Sequence, residues 1–224
     1  MKKFLILFAL LLPSLEIFAQ KEKNPFTATL YGGIYLNNDQ AWSIEPSIAW
    51  HFHKYMGVAF GMELTSQYNQ PSRQTTINGK EASLTDNEKN IAWIIFKPTV
   101  IFKSPNLLKN KEYIRLWLQA EPGISLACPF RNSLTYDIYD IKGDVGTMVD
   151  YMKFPNKGLK WFYWNARLSI NVAFDCFVVG AGYGISNLDY YSGRRNVTLQ
   201  NGSKFWVPKK ELSQNIFLSI GYQF

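Results

Sequence analysis

The sequence predicts an all-β protein, an eight-stranded antiparallel up-and-down transmembrane β-barrel preceded by a cleaved signal peptide. Three observations predict it. Residues 214–224 alternate without a break, with Ile216, Leu218, Ile220, Tyr222 and Phe224 on one face and Phe217, Ser219, Gly221 and Gln223 on the other. About 9–11 tilted strand residues cross a hydrocarbon layer, so this one segment is long enough. Seven upstream segments repeat the same period of two, and the links between them alternate short and long in the parity that puts every long link on one side.

At the N-terminus, Lys2 and Lys3 precede an apolar run from Phe4 to Leu12, followed by Pro13 and a processing site at Phe18-Ala19-Gln20. This pattern reads as a signal peptide over residues 1–19, cut after Ala19. The run is too short for a spanning helix, and Pro13 and Glu16 interrupt it. Residues 20–224 then form one barrel domain. Removing Lys2, Lys3 and Glu16 leaves 22 basic and 16 acidic residues, a mature charge of about +6 spread over the links. No nucleic-acid motif accompanies that charge, and no further stretch of 18 apolar residues exists to make a helical membrane protein.

The first strand, 26–37, turns Phe26, Ala28, Leu30, Ile34 and Leu36 outward, and the second, 42–53, turns out Trp42, Ile44, Ile48, Trp50 and Phe52. The third, 55–68, offers Val58, Phe60, Met62 and Leu64; the fourth, 91–103, offers Ile94, Phe96, Val100 and Phe102. The fifth, 113–127, supplies Ile114, Leu116, Leu118, Ile124 and Leu126; the sixth, 161–175, supplies Phe162, Trp164, Leu168, Ile170 and Phe174. The seventh, 177–187, supplies Phe177, Val179, Tyr183 and Ile185, and the terminal strand is the eighth. Residues 69–89, 128–160 and 188–213 read as long polar loops. The opposite faces are small or polar, as in Gly57, Gly61, Gly180, Gly182, Ser125, Ser169 and Asn171. A soluble lipocalin-like barrel would reverse the faces and carry a charged exterior, with roughly a quarter of surface positions charged. Here the membrane barrel fits better. Phe52, Phe102, Phe174, Phe177, Tyr222 and Phe224 would gather at the periplasmic rim as an aromatic girdle.

The same alternation places Glu45, Glu63, Lys97, Arg115, Glu121 and Arg167 inside. Charges in so narrow a space must pair, and the expected arrangement is a ladder, Glu63–Lys97–Glu121–Arg167. It would plug the lumen, since eight-stranded interiors are filled by side chains; the alternative is a narrow passive pore for ions or small solutes. Glu45-Pro46, Lys97-Pro98 and Glu121-Pro122 each put an inward charge before an outward proline, which needs a bulge or an interior partner to replace the lost ladder donor.

A lipid-modifying enzyme would need a Ser–His–acid set at the outer rim, whereas His51 and His53 fall at the periplasmic end. No enzyme activity, cofactor or metal site is expected. Cys128 and Cys176 fall at opposite ends of the barrel, beyond the ~7 Å reach of a disulfide, so two free thiols are expected. Function, if displayed, belongs to the loops. In the last one, Tyr190, Tyr191, Arg194, Arg195, Trp206, Lys209 and Lys210 interleave aromatics with bases, a pattern able to grip a surface glycan, phosphate or host ligand.

Taken with the processing site Phe18 to Gln20, the Glu45-Pro46 and Glu121-Pro122 pairs and the ending Tyr222-Gln223-Phe224, the mature chain resembles the small outer-membrane β-barrels grouped with the OmpA transmembrane domain and OmpW. It is most similar to the Bacteroides-type variants. That resemblance implies a Gram-negative outer-membrane location, periplasmic termini, contact with outer-membrane lipid, and insertion by the assembly machinery through Ile220, Tyr222 and Phe224. It implies a role in membrane integrity, adhesion or passive transport, and it brings no catalytic residues.

Overall fold

The computed structural model describes residues 25–36, 41–68, 74–85, 90–108, 113–129, 133–142, 145–200, 202 and 204–224. The expected signal peptide lies outside the described residues. Twelve strands follow in order: β1 (Phe26–Tyr35), β2 (Trp42–His53), β3 (Met56–Tyr68), β4 (Gln74–Ile77), β5 (Lys80–Leu84), β6 (Asn90–Lys103), β7 (Ile114–Pro129), β8 (Ser133–Lys142), β9 (Val145–Pro155), β10 (Phe162–Phe174), β11 (Phe177–Ser186) and β12 (Ser213–Gln223).

Eight of them close a barrel in the order β1-β12-β11-β10-β7-β6-β3-β2. Closure falls to β12, whose Ile220 lies opposite Leu30 on β1 and Val179 on β11. Both edges of the sheet are thereby used up, which removes the unpaired N–H and C=O rows that an open sheet carries. The eight predicted strands correspond to these eight, in the predicted neighbour order. Phe26 and Phe224 meet at one end, the amide of Phe224 donating to the carbonyl of Phe26 at 3.0 Å. The connections carrying the remaining strands leave from the other end.

The two faces differ sharply. On β12, Leu218 is 67% and Ile220 64% exposed while the alternate residues Phe217 and Ser219 are buried; Leu30, Ile48, Phe60 and Leu168 continue the apolar exterior around the barrel. At the end shared by the termini, Trp50, Phe102, Phe174, Phe177, Tyr222 and Phe224 stand exposed, with ring centroids 5.4 Å apart for Phe177–Tyr222 and 5.1 Å for Tyr222–Phe224. Trp42, Phe162 and Trp164 stand exposed toward the other end. From Trp42 to Trp50 a strand rising about 3.3 Å per residue at a tilt near 40° covers roughly 20 Å of barrel height. With the aromatic rows that bound it, the apolar belt approaches the ~25 Å band of a membrane barrel.

The three prolines are accommodated without a bulge. Register is identical on both sides of Glu45-Pro46 in the β2–β3 ladder, with Ile44 opposite Leu64 and Ser47 opposite Gly61. Across the β6–β7 ladder the same holds, from Phe96 opposite Leu126 to Thr99 opposite Gly123 and Phe102 opposite Ala120. The ladder skips the pairs at Lys97-Pro98 and Pro122 and resumes in step. A register shift does occur between Trp50 and His53, in the short turn to β3.

The remaining strands make a second sheet that the sequence reading took for polar loop. β4, β5, β8 and β9 pair in the order β4-β5-β8-β9. One face buries Ile77, Ala82, Leu84, Leu134, Tyr136 and Ile138, and Val197, Leu199 and Phe205 of the last connection cover it. Leu134, Tyr136 and Ile138 do alternate in the sequence. Their signal is short, and the acidic residues within and after it, Asp137 and Asp140, hide it. β9 shows a period only from Tyr151 to Pro155, because Gly146 to Asp150 is exposed on both faces.

Tyr136 anchors this sheet, fully buried and edge-on to Phe154 at 6.0 Å. Tyr136→Ala should raise amide exchange in β4, β5, β8, β9 and 197–205 while leaving the barrel strands protected, a loss of about 3–5 kcal/mol confined to the sheet. Burial also pushes the Tyr136 hydroxyl up to about 12. A phenol whose folded pKa lies above its unfolded value favours the fold below about pH 10, and that contribution disappears as pH rises through the folded value. Alkaline titration followed by exchange should therefore loosen the sheet between those two limits, ahead of the barrel.

Candidate functional site

The inward positions of five strands converge on one cluster of charge. Glu45 comes from β2, Glu63 from β3, Lys97 from β6, Glu121 from β7 and Arg167 from β10, and all five are buried. Register places Glu121 directly opposite Arg167. Arg167 donates from Nη2 to Glu121 Oε2 at 2.6 Å and from Nη1 to Glu45 Oε1 at 2.8 Å. Lys97 Nζ lies 3.1 Å from Glu45 Oε2 and pairs with Glu63 as well. The chain of contacts is thus Glu63–Lys97–Glu45–Arg167–Glu121. The ladder expected from sequence joined Lys97 to Glu121; Glu45 takes that step instead. β2 and β10 are four strands apart in either direction around the barrel, so the Glu45–Arg167 pair crosses the full lumen. A ladder drawn between neighbouring strands misses contacts across the diameter.

Three carboxylates face two cations, and neutral donors complete the balance. Tyr35 Oη donates to Glu63 Oε1 at 2.5 Å; Tyr31 Oη and Gln119 Nε2 donate to Glu121 Oε1 at 3.2 and 2.7 Å. The Arg167 guanidinium lies 4.2 Å from the centre of the Tyr31 ring, an added cation–π contact. Space for this comes from Gly61, where a Cβ would stand 2.4 Å from Glu45 Oε1. Arg115 does not join the network, contrary to the sequence reading. It lies near the terminal rim, exposed, and donates from Nη2 to Gln223 Oε1 at 2.6 Å. Being close to water, it needs no carboxylate partner.

Two small cavities flank the network. A cavity of about 20 Å³ lies on the terminal side, lined by Thr27, His51, Lys103 and Asn171. Another of about 20 Å³ lies between Lys97, Asn165, Arg167 and Asn215. Each has room for about one water. His51 sits in the lower chamber, its Nε2 3.2 Å from Thr27 Oγ1 and 3.2 Å from Lys103 Nζ. Among the described residues no group of three or more His, Cys, Asp or Glu could hold a metal. Cys128 and Cys176 are free thiols, one near the C-terminal end of β7 and one in the turn from β10 to β11, at opposite ends of the barrel.

The last connection closes the opposite mouth. Leu188, Tyr190 and Tyr191 pack into the barrel end against Ile91, Trp93, Ile95, Ala127 and Tyr163. Tyr190 Oη lies 2.9 Å from Thr65 Oγ1, and its ring stands edge-on to Tyr35 at 5.7 Å. Tyr190, Tyr191 and Arg194 are buried, so they are not the exposed ligand grips that the sequence suggested. Their aromatic bodies fill the mouth. Of the same set, Arg195 is paired with Asp189, while Trp206, Lys209 and Lys210 are exposed. Ile220, Tyr222 and Phe224 all stand on the exterior of the closing strand.

No protein-family model matches the chain, and no curated protein matches it. Solved structures similar to it include the N-terminal β-barrel domain of Pseudomonas aeruginosa OprF, at 11% identity and a TM-score of 0.42, covering 91% of this chain and 100% of that one. Neisserial surface protein A is similar at 11% identity and a TM-score of 0.40, over 89% of this chain and 94% of that one. Ail, the attachment invasion locus protein of Yersinia pestis, is similar at 11% identity and a TM-score of 0.37, over 90% and 99%.

Arg167→Met would leave Glu45 and Glu121 buried without their shared cation, at a cost of about 3–5 kcal/mol. Urea unfolding of the refolded barrel should show the lowered midpoint. Arg115→Met, at the solvated rim, should change it by less than about 1 kcal/mol. Equal effects would disprove the central place given to Arg167.

Proposed function

We propose that this chain is an integral outer-membrane β-barrel protein with a structural, surface-displaying role, its polar lumen plugged by the Glu63–Lys97–Glu45–Arg167–Glu121 network. One observation carries the reading: the barrel is charged and hydrogen-bonded inside and apolar outside. A water-soluble barrel needs the reverse. The exterior belt between two sets of aromatics suits contact with lipid. The common end of Phe26 and Phe224 would face the periplasm, and the second sheet with the last connection would face outward. Insertion would use the outer-membrane assembly machinery, with the exposed Ile220, Tyr222 and Phe224 of the closing strand as its recognition row.

Plugging is favoured over conduction by the bridge across the diameter and by chambers that hold about one water each. We infer no catalytic role. His51 lies beside Lys103 and Thr27 in the terminal-side chamber, away from the mouth where an outer-leaflet substrate would sit, and chemistry on such a substrate would need a base there.

The purified chain in planar bilayers should give no steady single-channel current, while Arg167→Ala with Glu45→Ala should open small conductance steps; stable steps from the native chain would favour the pore reading. The native chain should fractionate with outer membranes and need detergent for extraction, and Leu218→Arg should weaken its folding into vesicles by about 2–4 kcal/mol. Phe224→Ala should lower the amount of folded barrel in outer membranes, read as the heat-sensitive gel band, without changing the purified barrel's unfolding midpoint by more than about 1 kcal/mol.

A further inference from the structure

Where the last connection meets the barrel rim it leaves a cavity of about 180 Å³, separate from the lumen network. Its fixed point is Arg195. That guanidinium donates from Nε to Asp189 Oδ2 at 2.6 Å, from Nη2 to Asp189 Oδ1 at 2.9 Å, and from Nη1 to the Pro208 carbonyl at 2.7 Å. A guanidinium carries five N–H donors, so among the described residues one on each Nη remains after these three contacts. The fork is therefore held in place with two donors to spare, the arrangement that suits a tetrahedral anion. Lys209 and Lys210 line the same cavity and are exposed. Against these three cations stand Asp189, already engaged by Arg195, and Glu211.

Height along the barrel narrows the ligand class. The cavity also touches Ser213, the first residue of β12, which lies opposite Ser186 at the end of β11. Directly below, Tyr183 bonds Gln214 on the exterior at 2.6 Å, and exposed Ile216 and Leu218 begin the apolar belt. The three cations thus lie where the apolar surface gives way to water. On the membrane orientation proposed above, on which this inference rests, that is the headgroup level of the outer leaflet. Exposed Leu212 lies beside the cavity, and Gln214 separates it from exposed Ile216 below.

We propose that this cavity binds a phosphate monoester, with Arg195 as the bidentate donor and Lys209 and Lys210 as the closing charges. The ester comes either from a phosphorylated glycolipid in the membrane or from a free sugar phosphate, and the two are separable. The full chain in nanodiscs of neutral phospholipid is loaded with a phosphorylated glycolipid or with the same lipid dephosphorylated, and retention is read by native mass spectrometry. A detergent-solubilised sample is titrated with glucose 1-phosphate and with glucose. Preference for the phosphorylated lipid by about tenfold is expected, together with loss of about tenfold in the double variant Lys209→Gln, Lys210→Gln, the size of two partly solvated charge contacts. Arg195→Lys should weaken retention too, since it keeps the charge and loses the fork. Binding in the nanodisc arm alone identifies the lipid, and binding of glucose 1-phosphate over glucose identifies the free ester. Indifference to phosphate in both arms, or unchanged retention in the double variant with its folded gel band intact, overturns the proposal. A chain that stays in solution without detergent would instead sink the membrane reading, a result visible before any ligand is added.

Discussion

The structure depends on how buried charge is neutralised within a narrow barrel interior. Arg167 stands at the centre of that constraint, bonded to Glu45 on one side and Glu121 on the other. Several kcal/mol of desolvation per ion have to be recovered through contacts made in one geometry. The small residues of the inner face follow from this, above all Gly61, which leaves the Glu45 carboxylate its place. So do the aromatic and amide donors that complete the excess carboxylate. The interior is specified by electrostatics, and the exterior is freed to be uniformly apolar.

Most of the barrel was legible in the sequence because a period of two survives intact in all eight spanning strands. The residues inside were legible for the same reason, since parity fixes the face of each side chain. Which charge meets which was not legible. Register relates neighbouring strands, but Glu45 and Arg167 touch across the lumen, and no local pattern encodes the diameter. Tyr190 and Tyr191 failed differently: next to arginines in a polar stretch they resemble a display surface, yet the open barrel end offers an apolar seat lined by Trp93, Ile95 and Tyr163. The second sheet was missed because its strands are short and one of them is exposed on both faces over part of its length, so alternation was faint.

The outer connections consequently do more than link strands. Val197, Leu199 and Phe205 cover the second sheet while Leu188, Tyr190 and Tyr191 fill the mouth. One segment joins both bodies, and Arg195, tied to Asp189 and Pro208, holds its two ends together. The packing of the second sheet and of the barrel mouth thus runs through one segment, so loosening one loosens the other.

The brace between Glu45 and Arg167 has a temporal corollary. Its partners lie 122 positions apart along the polypeptide, so this bond forms only once the early and late halves of the chain have come together. Until then Glu45 has Lys97 and Arg167 has Glu121. The bridge joins these two half-networks, and so acts as a latch that favours the closed cylinder over an open sheet.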